Sequence, residues 1–266
     1  MNNILPTQWE FIPETDENWN LTWNLVDRKK AHSEWIPHLS VHIWCIDTER
    51  FKDSNDIWIH LSMRSKEKSD IWTPYLQRTA WWHISWESEF DKILISRKDK
   101  DLLSLKTALK ECAEELWIVI ENIEDEWEMN SLEIYSQKVA NELIWVLKIW
   151  DNLWDIWIEK WKWKVKLLFK NRSYWTIRSK MKNWKQIVDN NIEHVDIYAI
   201  EYNKQIIQFD RWEIDWIDVY PSKQVLIMLD DYKLFWWKDE QSWKDSKAYN
   251  TMKDVILKLQ TIYWIK

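Results

Sequence analysis

Glycine does not occur once in these 266 residues, and that absence constrains the backbone more than any motif does. Average glycine usage is roughly 7 %, so a chain of this length should hold about 19, and the chance of none is on the order of 10⁻⁸. Tryptophan occurs 26 times instead, close to what ordinary glycine and tryptophan counts would sum to. Glycine serves φ > 0 turns, helix ends and close backbone approach because it has no Cβ. Several tryptophans stand where such a residue is expected. Asp16-Glu17-Asn18-Trp19-Asn20, read with glycine at 19, becomes an ordinary Asn-Gly turn. The hypothesis is that most of these tryptophans are glycines in the functional protein. A UGA codon that means glycine in the source but is translated as tryptophan would have this effect, and so would deliberate recoding. The richness in Ile, Lys and Asn fits an AT-rich gene.

The chain is long enough for one large domain or a domain with sizeable insertions, and the second is expected. A net charge of −7 leaves no general basic field for a nucleic-acid backbone. The first residues, Met1-Asn2-Asn3-Ile4-Leu5-Pro6, lack the basic start and apolar run of a signal peptide, and no stretch approaches about 20 uncharged apolar residues. A cytoplasmic protein without a membrane partner is expected. Cys45 and Cys112 sit in apolar patterns rather than a pair motif, so no disulfide framework is expected.

Periodicity gives the organisation. Residues 1–38 read as extended and turn-rich, with a hairpin arm over Leu21–Arg28. Leu39–Ile46 and Ile57–Met63 read as strands divided by a polar loop. Leu105, Ala108, Leu109, Cys112 and Leu116 recur at three- and four-residue spacing, which predicts an amphipathic helix over Ser104–Leu116. Another helix is expected over Ser131–Lys148. Trp150, Trp154, Trp157 and Trp161 make a helical stripe as printed and a flexible loop if they are glycines. Val165–Phe169, Val195–Tyr202 and Gln205–Phe209 read as strands, the last two joined at Asn203-Lys204. Met252, Val255, Ile256, Leu259 and Ile262 share one face of a helix over 249–263.

One helix carries chemistry. Glu111, Glu114 and Glu115 lie at i, i+3 and i+4, so their carboxylates fall on one side within reach of a common cation. Mg2+ takes hard oxygen ligands and is often shared between carboxylates and substrate phosphates. Three glutamates can equally solvate the outer face of a helix; the surroundings decide against that. Trp81-Trp82-His83-Ile84-Ser85-Trp86-Glu87 precedes the helix, and Lys110-Glu111-Cys112-Ala113-Glu114-Glu115-Leu116-Trp117-Ile118 runs through it. With glycine read for tryptophan, these segments resemble the Nudix box: a glycine, a glutamate, then Arg-Glu-U-x-Glu-Glu-x-Gly-U with U bulky and apolar.

That resemblance implies an α+β fold, a Nudix-type α/β/α sandwich with a mixed sheet, helical insertions and a C-terminal helix. A single domain spans 1–266, with its core at about 36–118 and 164–235, insertions at 88–104 and 119–163, and the terminal helix at 249–263. It implies hydrolysis of a diphosphate linkage, in a nucleoside diphosphate-type or other organic diphosphate, with Mg2+ or Mn2+. Glu111, Glu114 and Glu115 become metal ligands and catalytic groups, and the backbone carbonyl of Trp82 a further ligand. Glu87, Lys110 and His83 support them. Two departures stand out. The stretch between Glu87 and Lys110 is longer than in the family and reads as a surface excursion. Lys110 replaces arginine and loses the planar fork that orients a carboxylate. Glu193 and Glu213 are weaker candidates for an additional base or ligand, with ordinary surface glutamates as the plainer account. A homodimer stays open.

The segment His32-Ser33-Glu34-Trp35-Ile36-Pro37-His38-Leu39-Ser40-Val41-His42 is similar to the Nudix subgroup that includes isopentenyl-diphosphate isomerase. His32, His38 and His83 match its histidine-rich metal site. The isomerase cysteine position falls within Thr79-Ala80-Trp81-Trp82, and its downstream Glu-x-Glu at Asp189-Asn190-Asn191, so hydrolysis is preferred. A metal shared by His38, His42 and Cys45 is disfavoured, because 38 and 42 lie roughly 13 Å apart on a regular strand. A non-catalytic ligand-binding module, with tryptophans stacking on sugars or bases, is the remaining class. The intact mass of the protein made in its source organism is expected to fall short of 26 tryptophans, and a mass matching all of them overturns the glycine hypothesis.

Overall fold

The computed structural model describes residues 11–18, 20–47, 50, 54–65, 76–78, 80–83, 100–101, 103–108, 155–158, 163–182, 185–202, 214–235, 237 and 239–263. At 76–78, 80–83, 155–158, 163–165, 171, 173–182, 185–191 and 202 it describes the backbone alone.

Strands β1 (Phe11–Thr15) and β2 (Leu21–Asp27) form a hairpin that runs into helix α1 (Arg28–Glu34). Next come β3 (His38–Asp47), β4 (Trp58–Arg64), β5 (Leu76–Arg78) and β6 (Ala80–His83). A helical segment at 100–101 and 103–108 is followed by β7 (Asp155–Ile158), β8 (Trp163–Lys182), β9 (Lys185–Tyr202) and β10 (Ile214–Pro221). Helices α2 (Ser222–Leu229), α3 (Glu240–Lys244) and α4 (Lys247–Ile262) close the described chain.

The main path of the sheet is β10-β4-β3-β9-β8-β7, with β5 added to β4, β6 to β3, and the β1/β2 hairpin reaching β3. It is mixed, since β3 and β9 run parallel in unbroken register from His38↔Glu193 to Asp47↔Tyr202. The other pairs are antiparallel. Every position of β3 is buried, the signature of a central strand covered on both faces. On one face Trp44, Ile46, Ile57, Ile59, Val195 and Ile197 pack against Val225 and Leu229 of α2 and Val255, Ile256 and Leu259 of α4. On the other, the Tyr198 hydroxyl meets Ser104 Oγ at 3.0 Å, which sets the helical segment 103–108 over that face. The result is α+β, with helices on both sides of a mixed sheet.

Local chemistry explains the helices of the first layer. Ser246 caps α4 by accepting the Tyr249 N–H at 3.0 Å. The apolar positions of α4, Met252, Val255, Ile256 and Leu259, are buried in phase, each worth about 1.5–3 kcal/mol when fully removed from water. Asp56 sits at the start of α2, taking the Ser222 hydroxyl at 2.5 Å and the Lys223 N–H at 3.4 Å. Its charge there complements the helix dipole. Gln260 of α4 bonds Ser222 at 2.8 Å, while Arg172 of β8 reaches Thr251 at 3.3 Å and pairs with Asp254. These bonds lock α4 to both α2 and the sheet.

Four expectations change. Residues 28–34, read as part of an extended entry, form helix α1, started by the Asp27 side chain. Val165–Phe169 and Val195–Tyr202 are parts of far longer strands, β8 and β9, paired as a hairpin down to Lys182↔Lys185. Antiparallel pairing satisfies their polar stretches, so the strands outrun their apolar cores. Residues 155–158 form neither a helical stripe nor a loop but strand β7, paired with β8 from Ile158↔Trp163. The expected surface excursion at 88–104 ends in helix at 100–101 and 103–104. The expected helix at 131–148 and the strand at 205–209 lie outside the described residues. Among the described residues no helix is long and apolar enough to cross a membrane.

Candidate functional site

Strand β3 alternates polar and apolar residues, yet its polar positions are not on the surface. His38 and Ser40 are 0 % exposed and His42 1 %. Burying such a row is costly unless its groups find partners. The main partner comes from β9. Glu193, registered against His38 and itself 0 % exposed, accepts a 2.6 Å hydrogen bond from Ser40 Oγ. The His42 Nε2 atom lies 3.7 Å from the same carboxylate. That is too long for a hydrogen bond but within the range of an ion pair when the ring is protonated. The expectation of a surface glutamate at 193 is therefore corrected. In β9 Glu193 is in phase with Val195, Ile197 and Ala199, the residues that face the core, so strand geometry carries it inward.

The approach to this row is built by α1. Asp27 accepts the Lys30 N–H at 3.0 Å and starts the helix. Trp35 ends it in the left-handed conformation at φ 60°, ψ 36°. The chain then turns into β3 with the His32 and His38 rings stacked at 5.5 Å. His38 Nδ1 lies 3.0 Å from the Ile36 carbonyl. A carbonyl only accepts, so Nδ1 carries the proton and Nε2 holds the lone pair in the neutral ring.

A second polar group occupies the opposite face. Burial, with Asp196 beside it, pushes the Tyr198 phenol well above its ordinary value, so it stays neutral against Ser104. Burial lowers the Lys100 ammonium, Asp196 opposes that shift, and Lys170 adds to it. Lys170 also pairs with Asp101 at 2.5 Å. Burial, then Lys100, holds His194 down to about 4, with Asp16 pulling the other way. His60 of β4 is likewise held down to about 4 by burial, opposed by Asp47 and Asp218 and assisted by Arg50.

The residues expected to carry chemistry are brought together only in part. Glu111, Glu114, Glu115, Glu87, Lys110 and Glu213 lie outside the described residues. Trp82 and His83 fall in β6, where the backbone register is Trp82↔Val41 and His83↔Ser40. The strand that leads into the box thus runs directly beside the polar row of β3. Glu193, however, lies with the face covered by α2 and α4, whereas the helical segment 103–108 lies with Tyr198 on the other. The described residues do not join Glu193 to the box helix. Among them no group of three His, Cys, Asp or Glu side chains converges to hold a metal. Cys45 is buried, as its apolar surroundings suggested.

Sequence reasoning passed over Ser40 as a functional partner and treated His42 as structural. The available signal was the i, i+2, i+4 row His38, Ser40, His42 inside an otherwise apolar strand. In a chain with helices on both sides of its sheet, such a row is a buried polar site, whereas a sheet with one open face would show it to solvent.

Comparisons with known proteins find similarity among solved structures alone. No family model matches the chain. No curated protein matches it. Among solved structures, the chain is similar to the crystal structure of a NUDIX hydrolase from Alicyclobacillus acidocaldarius. The identity is 13 %, the match covers 79 % of this chain and 96 % of that one, and the TM-score is 0.37. The functional reading rests on the residues rather than on so slight an overlap.

The buried imidazoles set a pH dependence. His60 and His194 are held down to about 4 from an ordinary 6.5, so between those values the unfolded chain binds more protons than the folded one. Stability is then fully present above pH about 6.5 and is lost as the pH falls toward about 4. His60, held at about 4, contributes on the order of 3 kcal/mol to that loss. Urea unfolding midpoints measured across this range are expected to fall with pH, and less steeply for His60→Gln. An equal slope in the variant would contradict a buried neutral His60.

Proposed function

We propose that this chain is a Nudix-type pyrophosphohydrolase acting on a small organic diphosphate. The carrying observation is the order of the box residues, from the glycine-like positions at 81 and 82 through Glu87 to Glu111, Glu114 and Glu115. Their setting supports the reading. The box sequence begins in strand β6 beside β3, and a helix is under way by 103, ahead of the three glutamates in the sequence.

The donor set suits a hard divalent cation. Three carboxylates and a backbone carbonyl at Trp82 offer only oxygen, which favours Mg2+ or Mn2+ over softer metals. Once bound, the cation supplies neutralisation of the diphosphate charge and a more acidic water. The chain's own part is to hold the carboxylates at one side of a helix, to position the diphosphate, and to take the proton of the attacking water on Glu114 or Glu115. Lys110 carries the positive charge that balances this crowd of acids. Glycine at 86 and 117 belongs to the same reading, since close approach to a metal and a helix C-cap favour a residue without a Cβ, whereas 81 and 82 stand in the extended backbone of β6.

A second reading is favoured by one observation, the stacking of the His32 ring of α1 on His38 of β3, whose register partner is Glu193. Histidines beside a carboxylate are what the isomerase resemblance implies, and the substrate would still be a diphosphate.

The test is a diphosphate panel including isopentenyl diphosphate, with the glycine-containing protein and Mg2+. Release of phosphate or a mononucleotide is expected, falling at least about 100-fold in Glu114→Gln and Glu115→Gln, as for loss of acid-base catalysis and metal charge. Turnover unchanged in both variants would contradict the assignment. Isomerisation without phosphate release would replace it with the second reading.

A further inference from the structure

The printed tryptophans fall into two structural kinds. Two of those described have φ in the left-handed region, Trp23 at 66° and Trp35 at 60°. There a Cβ crowds the following carbonyl, and for a bulky side chain the conformation is an outlier. Both sites are ones that glycine fills. Trp35 follows the last residue of α1, and its own N–H and that of Ile36 both reach back to the Ala31 carbonyl, the latter at 2.9 Å. This is the helix C-terminus that most often takes glycine. Trp35 is also 46 % exposed, so no buried contact offsets the strain. Trp23 lies where the β1/β2 register slips, with Leu25 opposite Pro13 and Leu21 opposite Thr15. A strand bulge with one left-handed residue is again a glycine position.

Trp243 is the opposite case. It is 2 % exposed within α3, and its indole N–H donates to the Leu229 carbonyl at 2.6 Å. Its ring stacks on Phe235 at 4.8 Å, lies 5.1 Å from Trp237, and meets Tyr249 edge-on at 5.6 Å. Satisfied N–H, aromatic neighbours and helical backbone together require the indole.

We propose that positions 23 and 35 are glycine in the working protein and that position 243 is a true tryptophan. The inference stands on backbone geometry and side-chain contacts, so it survives or fails independently of the hydrolase reading. It also bears on the site. Position 35 is the corner between His32 and His38, and a residue free to adopt φ 60° there brings the two rings together without strain.

Peptide mapping by tandem mass spectrometry of the protein from its source organism is expected to read glycine at 23 and 35 and tryptophan at 243. Tryptophan at 23 or 35, or glycine at 243, would overturn the sorting. A second measurement uses the full chain made with the printed letters. Trp35→Gly is expected to raise Tm by about 2–4 °C, and Trp35→Ala to give less, since alanine keeps a Cβ. Trp243→Gly is expected to lower Tm by about 10 °C or more. A Tm that is unchanged or lowered by Trp35→Gly, or unaffected by Trp243→Gly, would contradict it.

Discussion

The parallel register between β3 and β9 is the constraint on which the rest of the structure depends. It places ten consecutive residues, His38–Asp47, in a strand with no solvent-facing side. Each polar group on it must then be answered from a neighbouring element, because an unanswered one costs about 1–3 kcal/mol. Glu193 and Ser40 answer each other, and His38 is turned by the Ile36 carbonyl. The apolar positions of the two strands dictate where the helices go. Trp44, Ile46, Val195 and Ile197 call for the α2 and α4 layer, and Tyr198 takes the helical segment that leads toward the box.

Much of this architecture was legible in the sequence. The apolar runs at 39–46 and 57–63 became β3 and β4, and the stripe from Met252 to Ile262 became the packed face of α4. These succeed because burial on both faces leaves a run of apolar residues in a strand, and burial on one side leaves a periodic stripe on a helix. The outer half of the β8/β9 hairpin left only a short trace, the alternation of Ile177, Ser179 and Met181 with Arg178, Lys180 and Lys182. Strand β7 was hidden for another reason. Tryptophans at 150, 154, 157 and 161 imitate a helical stripe, whereas residues 155–158 pair with β8.

Glu193 was singled out by residue type alone, and neither its burial nor its partners were legible. Glu193 reads as a surface residue when taken singly, and as buried when read in phase with Val195 and Ile197. The role of Ser40 could not be read locally, because its partner lies far away in sequence. The resemblance to a Nudix box, by contrast, is carried by residues close together, and it becomes exact in its small positions only when tryptophan is read as glycine. The left-handed backbone at Trp23 and Trp35 points the same way from outside the box. One physical requirement, room for a backbone without a Cβ, thus connects the composition with the helix end at 35 and the register slip at 23.

The carboxylate cluster of the box is the central claim, and cation binding reports on it without any assumption about substrate. Mn2+ titrated into the glycine-containing protein, followed by electron paramagnetic resonance, measures the free ion directly. The account predicts saturable Mn2+ binding that Mg2+ competes away and that Glu114→Gln weakens at least about 10-fold, as expected for loss of a charged oxygen ligand. Binding that is absent, or that is unchanged when Glu111, Glu114 and Glu115 are each replaced by glutamine, would contradict it.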